Sequence, residues 1–126
     1  MRFLYASLAL LLSLFILSQV NTVKLTKITD EMVALIEKCE VSITEHNFDT
    51  AASQIEHIAK LWQDYKSYIT LVVRHTEIDN IAFSLAKIRQ SIAEKKDNGL
   101  LGETSVLKEM FSHLSEMEKI TLGNLI

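Results

Sequence analysis

The 126-residue sequence has no proline and only three glycines, Gly99, Gly102 and Gly123, so it lacks the residues on which tight-turned β architectures depend. It has one cysteine, Cys39, which excludes an internal disulfide. Positive charge is also scarce. Removing Arg2 from the 13 basic residues leaves twelve against 16 acidic ones, a net charge of about −4 beyond the amino terminus. Nucleic acid binds clustered cations that displace its counterions, so this balance argues against such a partner. It argues equally against a basic patch for anionic lipid. Catalytic signatures are missing as well: there is no His-Glu-x-x-His, no Glu-x-x-His, no Gly-x-Ser-x-Gly and no Gly-rich phosphate loop. The sequence therefore reads as non-enzymatic, and it implies no cofactor and no resident metal.

What the chain does have begins with an uncharged run over residues 3–20, FLYASLALLLSLFILSQV. As a helix this run spans roughly 27 Å, close to the hydrocarbon thickness of a bilayer. Arg2 ahead of it also resembles the start of a signal peptide. The following SQVNTVKLTK offers neither an Ala-x-Ala-like pair nor a lipobox cysteine, so a retained anchor is the better reading. Residues 1–23 are then the anchor and residues 24–126 the domain it carries. Arg2 on one side nearly balances Lys24 and Lys27 on the other. The very short leading tail puts the amino terminus inside and the domain outside the cytoplasm.

Beyond the run, apolar residues recur at intervals of three and four. Leu25, Ile28, Met32, Leu35, Ile36, Cys39 and Ile43 mark a first helix over about 24–45, able to continue directly from the anchor. Cys39 lies on that stripe, where a buried inert thiol is expected. Asn47 suits the left-handed end of this helix and Asp49 the cap of the next, with Phe48 folding back on its neighbours. Two further stripes follow, one from Ile55 through Ile58, Trp62, Tyr65, Ile69 and Val72, the other from Ile78 to Ile92. A single helix over 50–96 would be about 70 Å long, too long for a compact domain of this size. The β-branched YITLVV therefore predicts a break between 66 and 74. Lys95-Lys96-Asp97-Asn98-Gly99 supplies the next stop, and Leu101, Val106, Leu107, Met110, Phe111, Leu114 and Met117 form the apolar side of a last helix. The expected fold is all-α: an N-terminal transmembrane or signal-anchor helix followed by a small antiparallel bundle of three or four helices.

Chemically capable side chains are densest in Arg74-His75-Thr76-Glu77-Ile78-Asp79. On a wheel of about 100° per residue with Ile78 at zero, Ile81, Ala82, Leu85 and Ile92 fall within about 60° and define the buried face. His75 lies at about +60° and Asp79 at about +100°, whereas Arg74 lies at about −40° and Glu77 at about −100°. His75 and Glu77 point to opposite sides and cannot ligate one ion from a single helix. The spacing favours local pairs instead, His75 with Asp79 and Arg74 with Glu77. Trp62 is expected in the core, Tyr65 and Tyr68 beside it offer an aromatic patch, and His113 with Glu109 and Glu116 makes a weaker cluster.

Asn47-Phe48 near a turn, Trp62, the stretch HTEID, SLAKI starting five residues after it and a terminal GNLI together resemble a family of small bacterial proteins known only as a domain of unknown function. The likeness covers most of the chain after the anchor. Phe48 departs from the tryptophan common in that turn but keeps an aromatic ring there. The resemblance implies an extracytoplasmic or membrane-associated helical protein, mainly of Gram-positive bacteria, with a multi-pass membrane protein as partner, and it implies no activity.

The expectation is thus a single-pass cell-membrane protein whose extracytoplasmic helical domain is an accessory to another membrane protein, acting by protein–protein contact. Its candidate polar cluster is Trp62, Arg74, His75, Glu77 and Asp79. The alternative is an extracytoplasmic sensor, in which the helices clasp a small ligand or metal beside His75 and Asp79.

Overall fold

The periodic stripes are realised as four helices. A computed structural model describes the backbone of residues 1–125 and the side chains of residues 1–116, giving α1 (Arg2–Thr44), α2 (Phe48–Val72), α3 (His75–Ala93) and α4 (Leu100–Leu125). Met117 and the terminal GNLI fall outside the described side chains. Each helix packs on its neighbours in sequence, and α4 closes the ring against α1. Short connections force antiparallel neighbours, as in an up-and-down bundle. The widest side chains then fill the centre across the diagonal. Trp62 of α2 meets Phe111 of α4 edge-to-face at 5.5 Å between ring centroids, and both are buried.

α1 is unbroken across the junction between apolar run and bundle. Its 43 residues make it about 64 Å long. Only the second half packs: Leu25, Ile28, Met32, Ile36, Cys39 and Ile43 are buried, while residues 2–17 are all exposed. Among the described residues α1 is the one helix long and apolar enough to cross a membrane, and its apolar stretch is wholly uncovered. That stretch is compatible with a membrane anchor or a signal sequence.

The connections differ in detail from the sequence expectation. α1 ends in a Schellman turn, with the His46 amide donating to Ile43 O and the Asn47 amide to Ser42 O. His46, not Asn47, occupies the left-handed position, at φ 57°. Asn47 is instead the N-cap of α2, its side chain accepting from the Thr50 amide at 3.2 Å, so Asp49 sits inside the first turn. The short amide side chain is worth more as a cap acceptor than as a tolerated left-handed residue. α2 breaks where the β-branched run predicts, with Val73 extended at φ −124° and ψ 150°. The α3 stop repeats the first: Lys95 is left-handed at φ 55° and donates to Ile92 O, while the Lys96 amide donates to Ser91 O. Gly99, expected to end that helix, lies farther on at φ 78°, and its carbonyl accepts from the Glu103 amide at the start of α4.

Polar contacts fix the helices in register. Glu40 of α1, half-buried, accepts from the Thr104 hydroxyl at 2.7 Å and pairs with Lys108 Nζ at 2.6 Å. Arg89 of α3 forks onto Glu56 of α2 through Nε and Nη2, at 2.7 and 2.9 Å. Tyr65 donates to Glu31 at 2.8 Å, Tyr68 donates to the Asn21 side chain at 3.0 Å, and Lys24 Nζ sits 4.1 Å over the Tyr68 ring. Tyr65 and Tyr68 are therefore half-buried ties between α2 and α1 rather than an open aromatic patch.

Candidate functional site

Arg74, His75, Glu77 and Asp79 open α3, and that position governs what they do. Arg74 is the N-cap residue with extended backbone, φ −65° and ψ 142°, so it is not helical and cannot meet Glu77 as a helical neighbour does. The Glu77 amide donates to the Arg74 carbonyl at 3.1 Å, but among the described residues no side-chain hydrogen bond or ion pair joins Arg74 to Glu77 or His75 to Asp79. Arg74, His75 and Asp79 are exposed, and only Glu77 is half-buried. Both expected pairs are thus corrected. A cap residue lies off the helical wheel, and exposed side chains gain too little from pairing to hold one geometry.

Trp62 also leaves the cluster. It is 1 % exposed beneath Phe111, with its indole Nε1 among the buried atoms that lack a partner, so no other molecule reaches it. Its core placement is as the stripe predicts. Ala82, expected on the buried face of α3, is exposed, because Ile78, Ile81, Leu85, Ile88 and Ile92 alone fill the line facing the core. On α4, Val106 likewise turns outward at 51 % exposure, while Leu100, Thr104, Leu107, Phe111 and Leu114 are buried.

Val106 is the clue to a surface that residue types did not reveal. Beside Met110 it lines two adjoining clefts between α3 and α4. One, of about 430 Å³, is completed by Glu77, Ser105, Glu109 and His113. The other, of about 510 Å³, adds Ser84, Lys87, Gly99, Gly102 and Glu103. Together they form an open groove with an apolar floor and a rim in which carboxylates outnumber cations. Lys87 Nζ lies 3.6 Å from Glu103 across it. Gly102 keeps part of the floor bare: a Cβ added there would meet nothing within 4 Å. Phe83, adjacent to Ser84, is 75 % exposed on the outer side of α3.

Glu77, Glu109 and His113 share the first cleft, yet no group of three His, Cys, Asp or Glu stands close enough to hold a metal ion among the described residues. The sequence signal for the groove was an apolar residue out of phase, since Val106 lies about 120° from the centre of the buried face of α4. Cys39 is a core group. Burial, with Glu40 adding to it, pushes its thiol from 9.0 up to about 11, and it points at the Ala51 carbonyl 3.7 Å away.

A closed ring of four antiparallel helices, one of them prolonged by an exposed apolar segment, defines the class: a helical bundle with an apolar leader. Within that class the chain belongs to the family described as domain of unknown function DUF4363, whose model matches residues 20–125. The match begins at the end of the apolar run and takes in the bundle. No curated protein and no solved structure matches the chain.

Proposed function

We propose that this protein is a single-pass, membrane-tethered helical module that works by protein–protein contact as an accessory to another membrane protein. In this reading residues 1–23 anchor the chain and residues 24–126 stand outside the cytoplasm. The observation that carries it is the groove between α3 and α4. An open trough with an apolar floor and an acid-rich rim suits an amphipathic helix that lays apolar residues at i, i+3 and i+4 on Val106 and Met110 and turns Lys or Arg toward Glu77, Glu103 and Glu109.

Gly102 provides the test. Gly102→Leu adds a side chain whose Cβ meets nothing within 4 Å at an exposed position and replaces a poor helix former by a good one, so the fold is retained or slightly stabilised. A photoreactive residue at position 106 should capture one partner in native membranes, and Gly102→Leu should abolish that capture at a melting temperature no lower than that of the parent chain. Undiminished capture would take the groove out of the account.

A sensor reading has one observation in its favour, the presence of Glu77, Glu109 and His113 along the lining of one cleft. It requires a stoichiometric co-purified small ligand, lost on His113→Ala and detectable by mass spectrometry of the intact protein.

A further inference from the structure

Among the described residues, exposed apolar side chains of the bundle proper are few, and the most exposed of them lies at a particular height. Leu71, the penultimate residue of α2, is 82 % exposed. It opens the break whose next residues, Val72 and Val73, are half-buried. The register of α2 against α1 fixes where this turn sits. Cys39 stands opposite Ala51, and Asn21 opposite Tyr68. Carrying the same antiparallel register onward sets Leu71 level with Ser18 and Gln19, inside the apolar run of α1. The unbroken α1 makes this a fixed relation, because no hinge separates the apolar half from the half that packs.

The side chains around that level form layers. Tyr68, with its hydroxyl on Asn21 and its ring under the Lys24 ammonium, lies one turn from Leu71 toward the bundle. Lys27, Lys66 and Arg74, all exposed, share that end of the molecule. Tyrosine and long cationic side chains are what membrane proteins place at headgroup depth, with aliphatic residues just beyond.

We infer that the α2–α3 turn, led by Leu71, is a second membrane contact: it dips into the lipid interface beside α1, with Lys24, Tyr68 and Arg74 at the phosphodiester level. The bundle therefore sits on the bilayer at two points rather than swinging from one helix. This rests on the reading of α1 as a membrane anchor. The contact is carried by aliphatic burial, so it needs no excess of anionic lipid, in keeping with the acidic balance of the whole domain.

Fluorescence quenching in vesicles separates this inference from the anchor reading. The full chain with Cys39→Ala carries a single NBD-labelled cysteine introduced as Leu71→Cys, Leu11→Cys or Asn98→Cys, in vesicles of phosphatidylethanolamine and phosphatidylglycerol containing doxyl-labelled lipid. Leu71 and Asn98 are exposed, so labels there leave the core intact. We expect the probe at 71 to be quenched most by shallow doxyl groups and the probe at 11 by deep ones, with that at 98 unquenched. Quenching at 11 but none at 71 overturns the second contact and leaves the anchor standing. No quenching at 11 overturns the anchor and the second contact with it. A blue-shifted but unquenched probe at 71 means that protein, not lipid, covers the turn, and it overturns the inference as well.

Discussion

At the scale of single residues, the centre of the bundle depends most on Trp62. It is almost fully buried and meets Phe111 edge-to-face. Trp62→Ala deletes a large apolar surface and leaves a cavity that rigid helices fill poorly, so it should cost about 3–5 kcal/mol in a denaturant titration. Partner capture by the exposed groove should persist wherever the variant is still folded, since Trp62 does not reach that surface. Trp62 was legible in the sequence because a tryptophan in phase with isoleucines at three- and four-residue intervals has no better place than the core. Glu40 was not legible. Nothing in the local sequence says that a glutamate one residue off the apolar stripe will receive both the Thr104 hydroxyl and the Lys108 ammonium from a helix more than sixty positions away. Its partners are set by the closure of the ring. Glu40→Ala removes the charged acceptor of both Thr104, which keeps only the Leu101 carbonyl at 2.9 Å, and Lys108, and should cost about 2 kcal/mol, whereas an exposed glutamate such as Glu45 should cost next to nothing.

Elements depend on their ends, and two of the three turns here are strained in the same way. His46 and Lys95 are non-glycine residues in the left-handed position of Schellman turns, at φ 57° and 55°. An L side chain there costs roughly 1 kcal/mol, which glycine avoids. His46→Gly and Lys95→Gly should therefore each raise stability by about 0.5–1 kcal/mol; the two turns adjoin, with His46 and Lys95 lining one cleft, so the double variant should exceed either single one without having to reach the sum. The His46–Asp97 pair subtracts little from the first gain, since its groups are 3.5 Å apart and 70 % and 55 % exposed. Melting temperatures of the single and double variants measure this, and a loss of stability at both sites would contradict the strain. The number and order of helices were readable from periodicity, and the break after Val72 from β-branching. The cap assignments were off by one residue at Asn47, because Asn, Asp and His all tolerate such a turn and only the hydrogen bonds distinguish their roles. The groove was hidden for a related reason. Periodicity shows which residues can face a core but not that Val106, out of phase, will flank a neighbouring helix.

For the whole molecule, the shifted ionisations lean one way. Burial holds the Cys39 thiol up at about 11, and the hydrogen bond to Glu40 raises Lys108 above its ordinary value. Tyr65 is raised by its hydrogen bond to Glu31. In each case the folded chain holds a proton that the unfolded chain releases at lower pH, so the unfolded state binds fewer protons and stability falls as pH rises. These contributions are complete below the unfolded values and disappear as pH climbs through the folded ones, so the loss is confined to alkaline solution. On the acid side Glu94 is lowered by Lys96 and Gln90, but it is fully solvent-exposed, and its pairing is screened. Stability of the full chain in detergent should therefore vary little between about pH 6 and 8 and fall steadily above about pH 9, where free cysteine begins to ionise. Cys39→Ala should remove the earliest part of that fall, because the remaining groups titrate at higher pH. Lys108→Met should remove a later part and lower stability at neutral pH through the loss of its bond to Glu40. Thiol alkylation offers a check on the same premise. At pH 8 the folded chain should react with iodoacetamide only as fast as it opens, and denaturant should release the reaction. A native chain that alkylates freely at pH 8, or one that gains stability between pH 9 and 11, is incompatible with a core that shields Cys39 and ties α4 to α1 through Glu40.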